Sequence, residues 1–219
     1  MKNYRIVSII GAGPAGLSAS IQLNRFGIEH FIFDKSGPGG LLLNGNLIGN
    51  YTGVFPPVTG AALAEMMTDH FNSFSQEVIK LSVDRVDYDE SKDKFIATTG
   101  SSSYFSDYII AASGTKPVKP GIIKSVPADL LQYIDFGVTG LSDVKNEMIL
   151  VVGGGDSAFD YALSLSSSNK VEIINRSERV KALKSLKEIV FSRKSIVYGN
   201  STELGEIKEG DERALSVKL

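Results

Sequence analysis

Cysteine is absent from all 219 residues, and so is tryptophan. The first absence excludes most: no disulfide, thiolate metal site, iron–sulfur ligation or internal dithiol chemistry can come from this chain. Charge of neither sign is in excess, because 23 Lys and Arg stand against 25 Asp and Glu. A formal net charge of -2 leaves no basic surplus for nucleic acid or an anionic membrane, and there is no acidic tail. No apolar run approaches the roughly 20 residues that span a bilayer. Lys2 and Arg5 precede an apolar stretch in the manner of a secretory signal, but Gly11, Gly13 and Pro14 break it, and it reads as a buried strand and turn. The expectation is a soluble, cytoplasmic protein. Histidine is scarce as well: His30 falls in a predicted buried strand and His70 on a predicted helix, with no third ligand at metal spacing, so no metal is expected. Ser157 follows a glycine turn, but GGGDSA is not a nucleophile elbow, and no catalytic side chain is assigned.

What the chain does have is 42% apolar residues, enough for a real core, and a pattern that occurs twice. RIVSII (5–10) is a strand-like run, GAGPAG follows at once, a helix-like stretch covers 17–26, and IEHFIF (28–33) leads to Asp34. Far downstream come MILVV (148–152), GGGDSA (153–158), a helix-like stretch to about Ser166, and KVEII before Asn175 and Arg176. Such an internal repeat points to two similar nucleotide-binding units. Between them, 60–74 has helical apolar spacing, and VIKLSV, RVDYD, FIATT and YFSDYIIAAS are β-rich segments separated by turn residues, which read as a β-meander leading into a final buried strand at Tyr108 to Ala112. After the repeat, 182–191 looks helical, and 196–219 looks like short strands with a turn at Gly210-Asp211. The predicted fold is α/β: two Rossmann-like, doubly wound, three-layer dinucleotide-binding domains, over 1–114 and 115–219, with a β-meander and the first domain incomplete at its C-terminal part. Thr115 to Pro120, with two prolines, is the expected boundary.

A lone G-x-G-x-x-G carries little weight, but one set between strand and helix has a mechanism. Gly11 would permit the tight turn, Gly13 would let the backbone approach a pyrophosphate, and Gly16 would allow close helix–strand packing. Pro14 and Ala15 open the helix whose free N–H groups and positive dipole end face the phosphates. Asp34, with Lys35 beside it, is placed at the strand end to accept from ribose hydroxyls. In the second unit Gly153 and Gly155 take the first two roles, Asp156 and Ser157 begin the helix, and Ala158 replaces the third glycine. No acid ends the second strand. Asn175 and Arg176 stand there, with Arg179 and Lys181 following, so a 2′-phosphate would be attracted and NADPH is favoured over NADH, with NADH the alternative. The competing reading makes these bases, with Lys184 and Lys187, a solvated face.

Taken in order, GAGPAG, Gly39-Gly40, NYTG (50–53), Thr59-Gly60, Ala112-Ser113-Gly114 and GGGDSA carry a resemblance to the low-molecular-weight thioredoxin reductases and their flavoprotein relatives, over essentially the whole chain. The resemblance implies FAD on the first domain, with Gly39, Gly40 and Asn50 along its ribityl and isoalloxazine part and Ala112, Ser113 and Gly114 beside its pyrophosphate. There are three departures. Leu41 stands where the family usually has glutamine after the glycine pair. Phe136 to Thr139 reads Phe-Gly-Val-Thr where the redox-active Cys-x-x-Cys would fall, which excludes thioredoxin reduction by the family's dithiol mechanism. The family's chain also returns to close the flavin site with a Gly-Asp motif and a helix, whereas Gly210-Asp211 here has a hairpin-like context.

Two functions follow. In the first, NADPH passes hydride to FAD, and reduced flavin hands electrons to an external acceptor, small molecule or protein, such as a quinone, oxygen or a carrier. In the second, the chain is a catalytically silent nucleotide-binding subunit or sensor. Neither involves nucleic acid or membrane, and a homodimer is the candidate assembly.

Overall fold

The first apolar run forms strand β1 (Val7–Ile10), followed by helix α1 (Pro14–Arg25) and strand β2 (His30–Phe33), in a computed structural model that describes residues 5–210 and 215–218. Pro14 stands at the first turn of α1, where its missing N–H breaks no helical bond. β1 lies between β2 and β6 (Tyr108–Ala111) in a parallel sheet of order β2-β1-β6, with Val7 opposite His30 on one side and Tyr108 on the other. Strand alternation then builds the layers. Val7, Ile9 and Ile32 pack with Leu17 of α1 and Phe71 of α2 (Gly60–Asn72). Phe31 and Phe33 meet Tyr104 instead, at ring-centroid separations of 5.4 and 4.9 Å. Tyr104 belongs to an antiparallel meander of β3 (Arg85–Asp89), β4 (Lys94–Thr99) and β5 (Ser102–Ser106). Helices, parallel sheet and meander are thus three layers of one unit.

One predicted strand needs correction. VIKLSV makes a single bridge, Ile79 beside Phe33, because the Leu81 N–H turns back to Ile79 O at 2.8 Å and so leaves the ladder. YFSDYIIAAS divides as expected, into the last strand of the meander, β5, and the parallel strand β6, with Asp107 between them. The Asp107 carboxylate accepts from the Ile6 N–H and from Lys94 Nζ at 2.8 and 2.7 Å, fixing the point where the meander gives way to the parallel sheet.

The second unit repeats the plan with β7 (Met148–Val152), α3 (Asp156–Leu165), β8 (Lys170–Asn175), α4 (Lys184–Ser192) and β9 (Ile196–Asn200), its sheet running β7-β8-β9 in parallel. Phe159, Ala162 and Leu163 of α3 pack on Val171 and Ile173 of β8 and on Val190 of α4, and this burial supplies most of the stability of so short a helix. A hairpin of β10 (Glu206–Glu209) and β11 (Leu215–Lys218) follows. Gly210 follows β10, and Asp211, the other half of the expected turn, lies outside the described residues. Among the described residues no helix is long and apolar enough to cross a membrane.

The first unit comprises residues up to Leu43 together with Ile48–Thr115; Asn44–Leu47 groups with Lys116 onward in the second. Asn44 Oδ1 accepts from the N–H groups of Val138 and Thr139 at 2.9 and 3.4 Å, and the Asn46 N–H donates to Asp160 Oδ2 at 2.8 Å. Burial holds the Asp160 carboxyl above the ordinary carboxylate range, against the opposing pull of the Asn46 N–H. The folded chain therefore binds this proton more tightly than the unfolded chain does. Its contribution to stability is complete below the ordinary carboxylate pKa and is lost as pH rises through the raised value. Asp160→Asn, which keeps an acceptor for Asn46, is expected to flatten that decline. Thermal melts at pH 4 and pH 7 would show it, and an unchanged pH dependence would place the linkage elsewhere.

Candidate functional site

In the first unit each glycine of GAGPAG meets a different constraint. Gly11 has φ 106°, and a Cβ there would lie 2.2 Å from Ala112 O, so the turn and the end of β6 share a space that no side chain can enter. A Cβ at Gly16 would fall 1.8 Å from Gly11 O, which is how closely α1 lies on the turn. Gly13 is the opposite case: it caps α1 without any side-chain cap, and nothing lies within 4 Å of where its Cβ would be. The N–H groups after Pro14, at Ala15 and Gly16, have no side-chain cap, and the space over Gly13 at the positive end of the helix is open. Gly40 comes to this turn, since its Cβ would be 3.1 Å from Gly13 Cα, and the Gly39 N–H donates to Ala12 O at 2.9 Å.

Asp34 is tied to the same turn. Its Oδ2 accepts from the Ala12 N–H at 3.0 Å and its Oδ1 from the Ser36 N–H at 2.8 Å, which leaves each oxygen a second lone-pair direction for another donor. Lys35 is exposed, as are Asn50, Ser113 and Gly114, while Ala112 is half-buried. Asn50 has no side-chain hydrogen bond among the described residues. His30 is buried in structure: Nδ1 faces Ile28 O at 3.0 Å, which can only accept, so Nε2 is left to accept from the Ser20 hydroxyl at 2.6 Å. His70 is exposed on α2 and stacks with Phe74.

The second turn has the same division. Gly153 has φ 148° and a neighbour in the Ala158 side chain, while Gly155 caps α3 with nothing within 4 Å. Ala158 is buried, and Ser157 is exposed in the first turn of the helix. Asp156 Oδ1 accepts from the Leu183 N–H at 2.7 Å, so this acid pins the entry to α4; the helix begins at Lys184, two residues after the predicted start. A cavity of about 500 Å³ opens at the turn, lined by Gly153, Gly155, Asn175, Arg176, Arg179 and Lys181 among others. None of these three cations has a salt-bridge partner among the described residues. Lys184 and Lys187 do not line the cavity, and Lys184 lies 3.8 Å from Glu188 on α4. The two basic groups that the sequence left together are thus distinct.

Sequence reasoning missed Thr202, Glu203 and Leu204, which follow β9 and line the cavity, and also Val118 and Ile122. No motif marks them. The available signal was topological, since crevices in parallel sheets lie beyond the carboxyl ends of the strands. In place of a dithiol, 136–139 is a backbone turn: the N–H groups of Phe136 and Gly137 donate to Asp135 Oδ1 at 2.6 and 3.0 Å.

Two α/β units, each with a glycine turn that opens at a helix N-terminus, define a protein with two dinucleotide-type folds. The chain belongs to the pyridine nucleotide-disulphide oxidoreductase family, whose pattern it matches over residues 5–218. It is 34% identical over 202 residues to the thioredoxin reductase of Rickettsia prowazekii, covering 90% of this chain and 63% of that protein. To the thioredoxin reductase of Buchnera aphidicola subsp. Schizaphis graminum it is 31% identical over 207 residues, covering 92% and 64%. The crystal structures of the Lactococcus lactis and T. acidophilum thioredoxin reductases superimpose with TM-scores of 0.85 and 0.82, each at 26% identity, over 97% of this chain and 70% of theirs. The chain therefore spans about 63% of the length of the first of these curated relatives.

Proposed function

We propose that the chain is a flavin-dependent oxidoreductase, with FAD on the first glycine turn and NADPH on the second. The carrying observation is the paired geometry of Gly13 and Gly155: each caps a helix without a side-chain cap, and each faces open space where a Cβ would stand. Both turns fit a pyrophosphate, because backbone N–H groups and a helix dipole are presented where no side chain intervenes. When bound, nicotinamide would supply a hydride, and flavin would accept it and pass electrons to a small-molecule or protein acceptor. The protein's part is binding and orientation. Ala15 and Gly16 would offer N–H groups to one pyrophosphate, Asp34 would accept from ribose, and Arg176, Arg179 and Lys181 would face a 2′-phosphate. The names of the relatives point to thioredoxin as acceptor, but a chain without cysteine has no thiolate of its own to reduce a disulfide.

The test is the purified chain with FAD and NADPH: ferricyanide reduction and a flavin spectrum are expected, and reduction of thioredoxin is not. Failure to bind either nucleotide would move the case to the silent-subunit reading. For the second site, Arg176→Ala is expected to weaken NADPH more than NADH by about 1–3 kcal/mol, the loss of one charge-assisted contact. Calorimetric titration with both nucleotides measures this, and equal affinities in the unmutated chain would return the cations to a solvated face.

A further inference from the structure

The loop that carries Arg176 and Arg179 is held by one buried amide. Asn175 ends β8 with 6% of its surface exposed, and its Nδ2 lies 2.8 Å from Ser177 O, 3.2 Å from Arg179 O and 3.1 Å from the Tyr198 hydroxyl. Carbonyl oxygens only accept, so the nitrogen must face them. Without that donor the Ser177 carbonyl would lose its partner and the Arg179 carbonyl would keep only the Ser177 hydroxyl at 3.0 Å, so the turn would lose its tie to the end of β8. The third partner is rigid, because the Tyr198 ring packs 5.7 Å from Phe159 and 5.5 Å from Phe191, centroid to centroid. The far end of the loop is fixed as well: Gly154 O accepts from the N–H groups of Lys181 and Ala182 at 2.8 and 3.1 Å. A Cβ at Gly154 would lie 2.5 Å from the Asn175 amide, so the middle glycine of GGG leaves room for Asn175.

We infer that Asn175 is a positioning residue for 2′-phosphate recognition: its amide fixes the backbone of 176–179 so that Arg176 and Arg179 face the cavity. The inference rests on the proposal that NADPH occupies this site. Three neighbouring cations repel one another, and a loop free to relax would spread them. Holding them together in advance spares the ligand that ordering.

The 219-residue chain titrated with NADPH and with NADH decides it. Asn175→Ala is expected to lose about tenfold of the preference for NADPH, equivalent to ~1.4 kcal/mol, read as the ratio of the two affinities, because Asn175 itself lines the cavity and its direct loss falls on both nucleotides alike, whereas the cations serve NADPH alone. Asn175→His should recover most of the preference, since histidine Nδ1 is as many bonds from Cα as the amide nitrogen and can donate to one carbonyl. Tyr198→Phe, remote from the ligand, should lower the preference about twofold, because the two hydrogens of the amide serve three acceptors and the hydroxyl shares one of them. An unchanged preference in Asn175→Ala, or an equal fall for both nucleotides, would overturn the positioning role. If Asn175→Ala does not fold, an unchanged preference in Tyr198→Phe overturns it. Arg176→Ala separates the two levels: lost preference there but retained preference in Asn175→Ala defeats the positioning role alone. Absence of any preference in the unmutated chain defeats the NADPH reading and the inference with it.

Discussion

Gly13→Val is expected to fold normally and to lose FAD affinity by about 100-fold or more, roughly 3 kcal/mol. The space around Gly13 decides both halves of that outcome. Its φ of -73° suits any residue, and no atom lies within 4 Å of a Cβ there, so the valine has room in the protein alone. The same room is where a pyrophosphate must approach the N–H groups of α1, and an isopropyl group would occupy it. A small loss of stability accompanies the change, because valine is a poorer N-cap than glycine. Flavin fluorescence titration beside a thermal melt reads both quantities. Unaltered FAD retention in the folded variant would remove the turn from the proposed site.

Gly16→Val should fail in the other direction, by unfolding the first unit. A Cβ at this position would fall 1.8 Å from Gly11 O and 2.9 Å from Gly11 C. Both are backbone atoms, so no side-chain rotation relieves the overlap and α1 must move off the turn. The neighbouring core of Val7, Ile9, Leu17 and Ile32 would lose packing with it. The expected destabilisation is about 3 kcal/mol or more, at the upper end for overpacking a tight site. Chemical denaturation measures it, and a midpoint equal to that of the unmutated chain would show that the turn has slack absent from the structure.

The repeat of strand, glycine turn and helix was legible because each part has a local signal. A buried parallel strand reads as a short apolar run, and Gly11 and Gly16 stand where backbones nearly touch. The same logic misled at VIKLSV, whose β-rich residues cannot reveal that the Leu81 N–H turns back on Ile79. It also misplaced the start of α4, which depends on Asp156, distant in sequence. Asn175 shows the limit most clearly. Its lack of charge could be read from the sequence, but its grip on Ser177, Arg179 and Tyr198 comes from contacts that leave no periodic trace. The residues after β9 that line the cavity escaped for the same reason, since crevice walls are set by strand order and not by motif.

Asn44–Leu47 has a consequence for how this protein could be divided or inherited. The second unit is not a contiguous stretch of gene, because the backbone crosses between units at 43/44, 47/48 and 115/116. A polypeptide beginning at Lys116 would leave the Val138 and Thr139 N–H groups without Asn44, and the Asp160 carboxylate without the Asn46 N–H. The Val138 and Asp160 groups are partly buried, where loss of a partner costs about 1–3 kcal/mol each, while the exposed Thr139 N–H can turn to water. A recombination event that exchanged only the downstream half would inherit those vacancies, unless the incoming first half carried compatible residues at 44 and 46. Exchange between relatives is therefore constrained as if four residues from the middle of one module were part of the other's sequence.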